Sequence, residues 1–535
     1  MSDHAADILK RHQVYKTQRS TQVESTWREC FDYTYPLRGS GLNQGVLTVN
    51  AGDAAQARIL DSTAAESANV LASNIQDGVT PANSLWFALD AGNESDEERR
   101  WFDDAAKLLW ENIHMANFDA EAFECCLDMV CGGMFALFVD EDQDQGGFTF
   151  TQWPLSSLYC GSTRADGRID IVHREYQLNA EQAISEFGNS AVPQKIRKAA
   201  EQGKADEMFS FVQAIYPRKA SVVNARLAKN MPIASAHIEV ESKIECRVSG
   251  YHEMPVVVPR WLKAPGSVYA VGPVYAALPN IRQLNTLKAL ELSAADIAVS
   301  GMWLAVDDGV LNARTIKLGP RKIIVAANKD SLSPLTTGSD FQLAETMTAQ
   351  LQNAIRKILM ADQLPPADGP AKTAYEYSVR VEMIRKLLGP MYGRLQAEYL
   401  KPLIERCFGI AMRAGIFLPM PASLRDRSYS VRFVNPMARA QKLDEVAAIE
   451  ATFQSAAMFA QMDPTIVDEL DGRAALKRIR EARGAPGDIQ RTEEDVAKLR
   501  EARAQAQQQA QQQQGQLMAQ QEGQVAAAKN AAVAA

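Results

Sequence analysis

Apolar positions recur with a helical period at the start of this chain, switch to strand-like alternation in its second quarter, and return to a helical period after residue 273. Residues 3–36 read as one helix that stops near Pro36, followed over 37–52 by a loop rich in Gly, Ser and Asn. An Ala-rich stretch at 53–77 carries Ile59, Ala64, Val70, Leu71 and Ile75 near helical spacing, closed by Asp77-Gly78 and Pro81. Ser95 and Glu98 form a capping-box pattern, with Asp96 and Glu97 in the same first turn, where a helix N-terminus favours negative charge. The helix that follows carries Phe102, Ala106, Leu109 and Ile113 on one stripe, and another covers 119–131. Then the period changes. Residues 134–139 (MFALFV) and 147–153 (GFTFTQW) flank the polar run DEDQDQG, which is a hairpin pattern, and short strands continue at 158–178, 209–216 and 236–248. Residues 189–206 are polar and read as loop plus helix. Residues 1–265 are therefore expected to mix helix with antiparallel sheet.

Beyond this, residues 273–299 read as a helix with Pro273 in its first turn, where the missing N–H costs nothing. Leu278, Ile281, Leu284, Leu287 and Leu290 form its stripe. Residues 303–335 read as short strands and turns, punctuated by Gly309, Gly319, Pro320 and Pro334. A second amphipathic helix spans 340–361, with Leu343, Met347, Leu351, Ile355 and Ile358 as its stripe. The loop QLPPADGPAK at 363–372 breaks it. A long helical region covers 373–414, interrupted near Gly389-Pro390 and at Pro402, then an extended link covers 419–436 and helix returns over 437–483. Residues 484–487 (GAPG) form a hinge, and 505–535 are a solvated Gln/Ala low-complexity tail.

Composition narrows the function. The 535 residues are 46% apolar and 23% charged, ordinary globular values that exclude a wholly disordered or disulfide-framework protein. The net charge of −8 argues against a coat that binds nucleic acid over its whole surface, because phosphate contacts dominate such binding. Seven scattered cysteines read as reduced thiols. The N-terminal MSDHAADILKRHQ lacks an apolar signal stretch, and no run reaches the roughly 20 apolar residues of a membrane span, so a soluble protein made in a cytoplasm is expected.

Enzyme signatures are missing. There is no G-x-x-x-x-G-K-[ST] phosphate loop, G-x-G-x-x-G, H-E-x-x-H or G-x-S-x-G. His114 and His173 are the histidines in well-patterned segments, and both read as ordinary polar positions at element ends. Cys125, Cys126 and Cys131 cluster without a second pair or a His partner, so packing is favoured over zinc. The acidic run Asp140, Glu141, Asp142 and Asp144 opens like a calcium loop, but Gln145 and Thr151 occupy the places of the required Gly and Glu, and a hairpin turn is favoured. No catalytic residue, metal or cofactor is expected. The basic residues are placed more suggestively: Arg282 and Lys288 on the first helix of the pair, Arg356 and Lys357 on the second, and Arg314, Lys317, Arg321 and Lys322 between them. On composition alone an ordinary solvated helix face is favoured over contact with phosphate for these residues. Two other classes stay open on the residues alone: a scaffolding or internal virion protein using the Gln/Ala tail, and a nuclease or NTPase relying on Asp140 and Asp142.

The chain resembles the head-to-tail connector, or portal, proteins of short-tailed double-stranded DNA phages, from about residue 10 to about residue 505. The resemblance rests on ordered blocks. The first runs Ile59-Leu60-Asp61-Ser62-Thr63, Leu71-Ala72-Ser73, Gly78-Val79-Thr80-Pro81 and Trp86-Phe87. Next come Ala116-Asn117-Phe118 leading to Gly132-Gly133, then Gly272-Pro273 with Leu284-Asn285. Lys372-Thr373-Ala374 then leads through Glu382, Leu388-Gly389-Pro390, Arg394-Leu395, Glu398, Leu400 and Pro402-Leu403-Ile404. Asn435-Pro436, Ala438, Ala440-Gln441-Lys442 and Asp471 close the series.

The resemblance implies an α+β, predominantly helical multidomain fold of wing, stem, clip and crown that assembles into a ring, usually of twelve subunits, at one capsid vertex. By position, the wing is 1–270 plus 373–435, the stem helices are 271–299 and 340–361, and the clip is 300–339. The tunnel loop is 362–372, the crown 436–483 and the tail 484–535. The tunnel loop would bring Gln363, Leu364, Pro365, Pro366, Asp368 and Lys372 to passing DNA. Arg282, Lys288, Arg356 and Lys357 would face the channel from the stem, and Arg314, Lys317, Arg321 and Lys322 would lie at the clip docking site. The implied partners are other copies of the chain, double-stranded DNA read without sequence specificity, terminase, tail adaptors, and capsid and scaffolding proteins, with no membrane. Twelve copies would carry about −96, a wall that mostly repels phosphate.

Overall fold

A computed structural model describes residues 3–39, 42, 56–90, 96–142, 146–222, 227–300, 302–305, 332–335, 341–362, 388–424, 430–433 and 436–459, with isolated positions between 470 and 505. Among them no helix is long and apolar enough to cross a membrane. The chain divides into two compact units, one of residues 1–86 and 108–417, the other of 87–107 and 418–535.

The first unit opens with helix α1 (Asp3–Arg19), which continues through a π-helical turn (Ser20–Glu24) into α2 (Ser25–Asp32) and a short α3 (Pro36–Gly39). Within the expected helix at 53–77 the described residues form α4 (Thr63–Val79), with 57–62 outside it. The Asp61 carboxylate accepts the Thr63 N–H at 2.9 Å, satisfying a donor of the first turn.

Chain order continues with β1 (Phe87–Asp90), α5 (Asp96–Met115) and α6 (Phe118–Gly132). Ser95, the first member of the expected capping box, lies outside the described residues. The expected hairpin forms from β2 (Ala136–Glu141) and β3 (Phe148–Trp153), and β9 (Val256–Val257) pairs with the other edge of β2.

A five-stranded antiparallel sheet takes β4 (Leu158–Gly161), β5 (Ile171–Asn179), β6 (Met208–Pro217), β7 (Ile233–Glu239) and β8 (Ile244–Tyr251) in chain order. Alternation in β6 sends Phe209 and Phe211 to one face and Ala214 to the other. On the first face they pack with Ala183 of α7 (Ala180–Phe187) and Ile196 of α8 (Gln194–Glu201). The sequence pattern missed α7. It starts directly at the end of β5 with a complete capping box between Asn179 and Gln182. On the second face Ala5 and Ile8 of α1 meet Ala214, Ala236 and Ile238.

Two short strands, β10 (Leu262–Lys263) and β11 (Ala270–Val271), lead into α9 (Pro273–Ser300). Here the Gly132-Gly133 and Gly272-Pro273 blocks acquire a physical reason. Gly133 ends α6 with a φ of +90°, and a side chain there would run into the Val271 backbone. A side chain at Gly272 would strike the Val130 carbonyl. The two glycines let backbone meet backbone where α6 ends and α9 begins.

After α9, β12 (Met302–Ala305) pairs antiparallel with β13 (Leu332–Leu335), and α10 (Phe341–Ile358) returns. Past the undescribed 363–387, α11 (Pro390–Leu395), a π-helical turn (Gln396–Leu400) and α12 (Lys401–Ala414) run on without a break. Pro402 therefore does not interrupt the helix. It stands in the first turn of α12, where a missing N–H is tolerated, and the wider π turn directly precedes it. Arg260 ties this helix to the body: its Nε and Nη2 donate to Glu398 at 3.0 and 2.5 Å, and its Nη1 donates to the Gly167 carbonyl at 2.9 Å. Arg406 donates to the Val139 carbonyl, Glu253 and Asp140.

In the second unit β1 pairs antiparallel with β14 (Ser430–Phe433), which lies within the expected extended link. Trp101 donates its indole N–H to the Leu418 carbonyl at 2.9 Å. Helix α13 (Pro436–Phe459) covers the first half of the helical region expected from 437.

Candidate functional site

The helix pair α9 and α10 carries apolar residues that the chain itself leaves partly uncovered. The two run antiparallel, as the strand pair at their far end requires. Thr348 donates to Glu291 at 2.8 Å, and seven residues along each helix Ile355 meets Leu284. At this root the stripe is sealed: Leu278, Ile281, Leu284 and Ile355 are buried. Toward the other end apolar side chains lie bare: Leu290 is 63% exposed, Leu343 58% and Met347 46%, and Leu292 is exposed on another side of α9.

The root is held by polar clamps. A small cavity is lined by Tyr33, Ile59, Asp61, Ala64, Ile281, Leu284, Asn285 and Ile355. Asn285 accepts the Leu60 N–H at 2.8 Å and donates to the Arg58 carbonyl at 3.1 Å, fixing the segment that leads into α4. Asp61 accepts from Gln352 of α10 at 2.8 Å. Burial raises the Asp61 pKa, but hydrogen bonds from Thr63 and Gln352 and the Lys288 charge outweigh it and hold the carboxyl below its ordinary range. Asp61 and Asn285 both belong to the blocks that carry the family resemblance, yet the sequence reading gave neither of them a role. Only the fold brings residues 58–61, 285 and 352 together.

The four basic stem residues divide into two kinds. Arg282 pairs with Glu29 of α2, and Lys288 with Glu291 at 2.7 Å, so both charges are matched inside the subunit. The Lys288 hydrogen bond in turn holds the Glu291 carboxyl below its usual range. Arg356 and Lys357 stand exposed in the last turn of α10, with no ion-pair partner among the described residues, at a helix end that favours cations. The remaining candidates, Arg314, Lys317, Arg321 and Lys322 and the loop residues Gln363, Leu364, Pro365, Pro366, Asp368 and Lys372, lie outside the described residues.

The other sequence candidates have structural partners. His114 shares Nδ1 with Asp119 at 2.9 Å and receives the Trp86 indole N–H at 3.3 Å. His173 is buried in the sheet. All seven cysteines are free thiols in the interior, and burial pushes the Cys126 and Cys131 thiols up to about 12. Asp140 pairs with Arg406 at 3.3 Å. Among the described residues no group of three or more His, Cys, Asp or Glu is placed to hold a metal.

Comparison with known proteins bears on what such a helix pair serves. The model of the family described as "Bacteriophage head to tail connecting protein" matches residues 5–490. The "Probable portal protein" of Bordetella phage BPP-1 is 24% identical over 512 residues, covering 94% of this chain and 91% of the relative. The "Portal protein" of Salmonella phage epsilon15 is 25% identical over 530 residues, covering 96% and 93%. A solved structure titled "Neck of empty GTA particle computed with C6 symmetry" aligns over 70% of this chain and 85% of its own, at 13% identity and a TM-score of 0.33.

Proposed function

We propose a mechanism from one premise: the chain belongs to the bacteriophage head to tail connecting proteins and is a phage portal protein. Its copies close side by side into a ring at one vertex of the capsid, and double-stranded DNA passes through the central channel in packaging and ejection. The observation that carries this reading is the half-finished stem. A helix pair that is sealed at its root and carries exposed apolar side chains farther out, at Leu290, Leu292, Leu343 and Met347, is what a subunit presents when its neighbours complete the packing.

In this reading the wing is 1–270 plus 373–435, the stem is α9 with α10, the clip is 300–339, the tunnel loop is 362–372, the crown is 436–483 and the tail is 484–535. Twelve copies are proposed. Arg282 and Lys288 brace the stem through Glu29 and Glu291, which leaves Arg356 and Lys357 as the stem cations that meet passing phosphate. The tunnel loop, through Gln363, Leu364, Pro365, Pro366, Asp368 and Lys372, lines the narrow part of the channel. The clip, through Arg314, Lys317, Arg321 and Lys322, receives terminase and later a tail adaptor, while capsid and scaffolding proteins surround the wing.

The wall works by repulsion. With −8 per subunit it holds phosphate off, and scattered cations make brief backbone contacts, so any sequence passes. Screening confines that field to roughly 8 Å at physiological salt, so it acts only on DNA inside the bore. The ring performs no covalent chemistry and uses no cofactor, and the pumping energy comes from the separate terminase.

Imaging the purified full chain tests this reading. Rings with a central hole are expected, and Leu290→Asp with Leu343→Asp should abolish them. Monodisperse monomers of the unaltered chain at micromolar concentration would overturn it.

A further inference from the structure

Helix α1 is attached to the five-stranded sheet differently from the helices on the opposite face. Its apolar contact centres on Ala5 and Ile8 against Ala214, Ala236 and Ile238, with Leu9 and Tyr216 packed against them. Polar groups join the attachment, and three of the six histidines in the chain take part in it. At its start His4 bonds Glu245 at 2.6 Å and the Tyr216 hydroxyl at 2.8 Å. Farther along, His12 stacks on His173 of β5, with ring centroids 5.6 Å apart and planes 17° from parallel. The edges of Tyr159 and Tyr15 close the stack.

Both imidazoles are buried, at 6% and 2% exposure. Neither ring nitrogen of His12, nor Nδ1 of His173, has a hydrogen-bond partner among the described residues. Glu175 of β5 approaches His12 Nε2 to 3.6 Å but already accepts from Lys16 at 2.9 Å and from the Tyr159 hydroxyl at 3.2 Å. The other charged groups around the stack are Arg11 and Arg19 on α1, Glu24 in the π turn and Asp170 before β5. Arg11, Lys16 and Arg19 balance Glu24, Asp170 and Glu175 before any histidine is charged. A proton on His173 therefore has no counter-charge left to meet.

We propose that α1 is an acid-released latch, held on the sheet by the buried His12–His173 stack and freed when His173 takes up a proton.

Burial, then the neighbouring His12 and Arg11, lowers the His173 pKa to about 3, whereas an exposed imidazole titrates near about 6.5. The docked helix therefore binds fewer protons than the freed one. Its attachment is at full strength above about pH 6.5 and weakens as the pH falls toward 3. Glu175 does not share in this release. The adjacent His12 ring, against burial and with help from Lys16, holds it at about 2, so it stays ionised throughout the window.

Hydrogen exchange read by mass spectrometry on the assembled full chain, with exchange times scaled for intrinsic rates, tests the latch between pH 7.5 and 4.5. Peptides within 3–19 should lose protection by about tenfold or more while 208–217 stays protected. His173→Phe keeps the stacked ring but cannot titrate, and should hold α1 protected at pH 4.5. Unchanged protection of 3–19 in the unaltered chain would overturn the proposal. So would its loss together with 208–217 at one pH, or an undiminished pH response in His173→Phe. If that variant does not fold, the comparison of 3–19 with 208–217 in the unaltered chain decides alone.

Discussion

The five-stranded sheet and the stem helix pair are built from similarly apolar residues, and they stand in opposite states. Each strand of the sheet sends side chains to two faces, and both faces are covered within the chain: Phe209 and Phe211 under α7 and α8, Ala214 and Ala236 under α1. The stem has one covered face at its root and a bare flank at Leu290, Leu343 and Met347. The sheet is complete in one subunit, whereas the stem needs a neighbour. Apolar periodicity alone looks equally convincing in both regions, so it does not distinguish a core from an interface.

This contrast can be broken experimentally. Phe211→Ala removes a fully buried ring and should cost about 3–5 kcal/mol in denaturant unfolding of dissociated subunits. In the same assay Leu290→Ala and Leu343→Ala should change stability by about 0.5 kcal/mol or less, yet both should weaken ring assembly in sedimentation. If the stem substitutions cost dissociated subunits as much as Phe211→Ala does, the bare flank is covered from within the chain and the contrast fails.

A second pair of substitutions sharpens it through charge. Arg260 is buried against Glu398, and Arg260→Ala strands that carboxylate together with the Gly167 carbonyl. Removing one partner of such a pair costs about 3 kcal/mol or more. Arg282 makes a similar bidentate pair with Glu29 at the exposed edge of the stem. Its removal should leave thermal unfolding of dissociated subunits unmoved, because water replaces what is lost. Equal shifts in melting temperature for the two variants would contradict this.

How much of this could be read in advance depends on distance along the chain. The strands were legible because alternation is local: MFALFV and GFTFTQW forecast β2 and β3 to within two residues. The stem helices were legible for the same reason. Helix α7 was not, because eight residues starting at a strand end leave no window in which a helical period stands out. The early start assigned to α4 shows how a period can mislead. Ile59 fits the helical stripe, yet it lines the stem-root cavity from outside the helix. Partners such as Glu29 for Arg282, 253 positions apart, are invisible to spacing, so the pairing of Arg282 could not be read from the sequence. The glycines at 133 and 272 were visible as family blocks, but the backbone contact that requires them appears only when α6 and α9 meet.

The smallest expected effect lies where stem and body join. Asn285→Ala leaves the Leu60 N–H and the Arg58 carbonyl without their side-chain partner, but both are near water, so about 0.5–1 kcal/mol is expected. Asp61 at the same joint gives the pH sign. Its carboxyl is held below the ordinary range, so it contributes stability above about pH 3.9 and loses that contribution as the pH falls through its folded value. Because the group is partly exposed, solvent screening keeps this below about 1 kcal/mol. Asp61→Asn should flatten the acid limb of the stability curve by that amount and leave neutral-pH unfolding of the sheet untouched. A larger loss at neutral pH, shared by the peptides of β5 and β6, would mean that the stem root and the sheet fold as one cooperative body. The difference between a finished and an unfinished region would then have to be placed farther out along the helices.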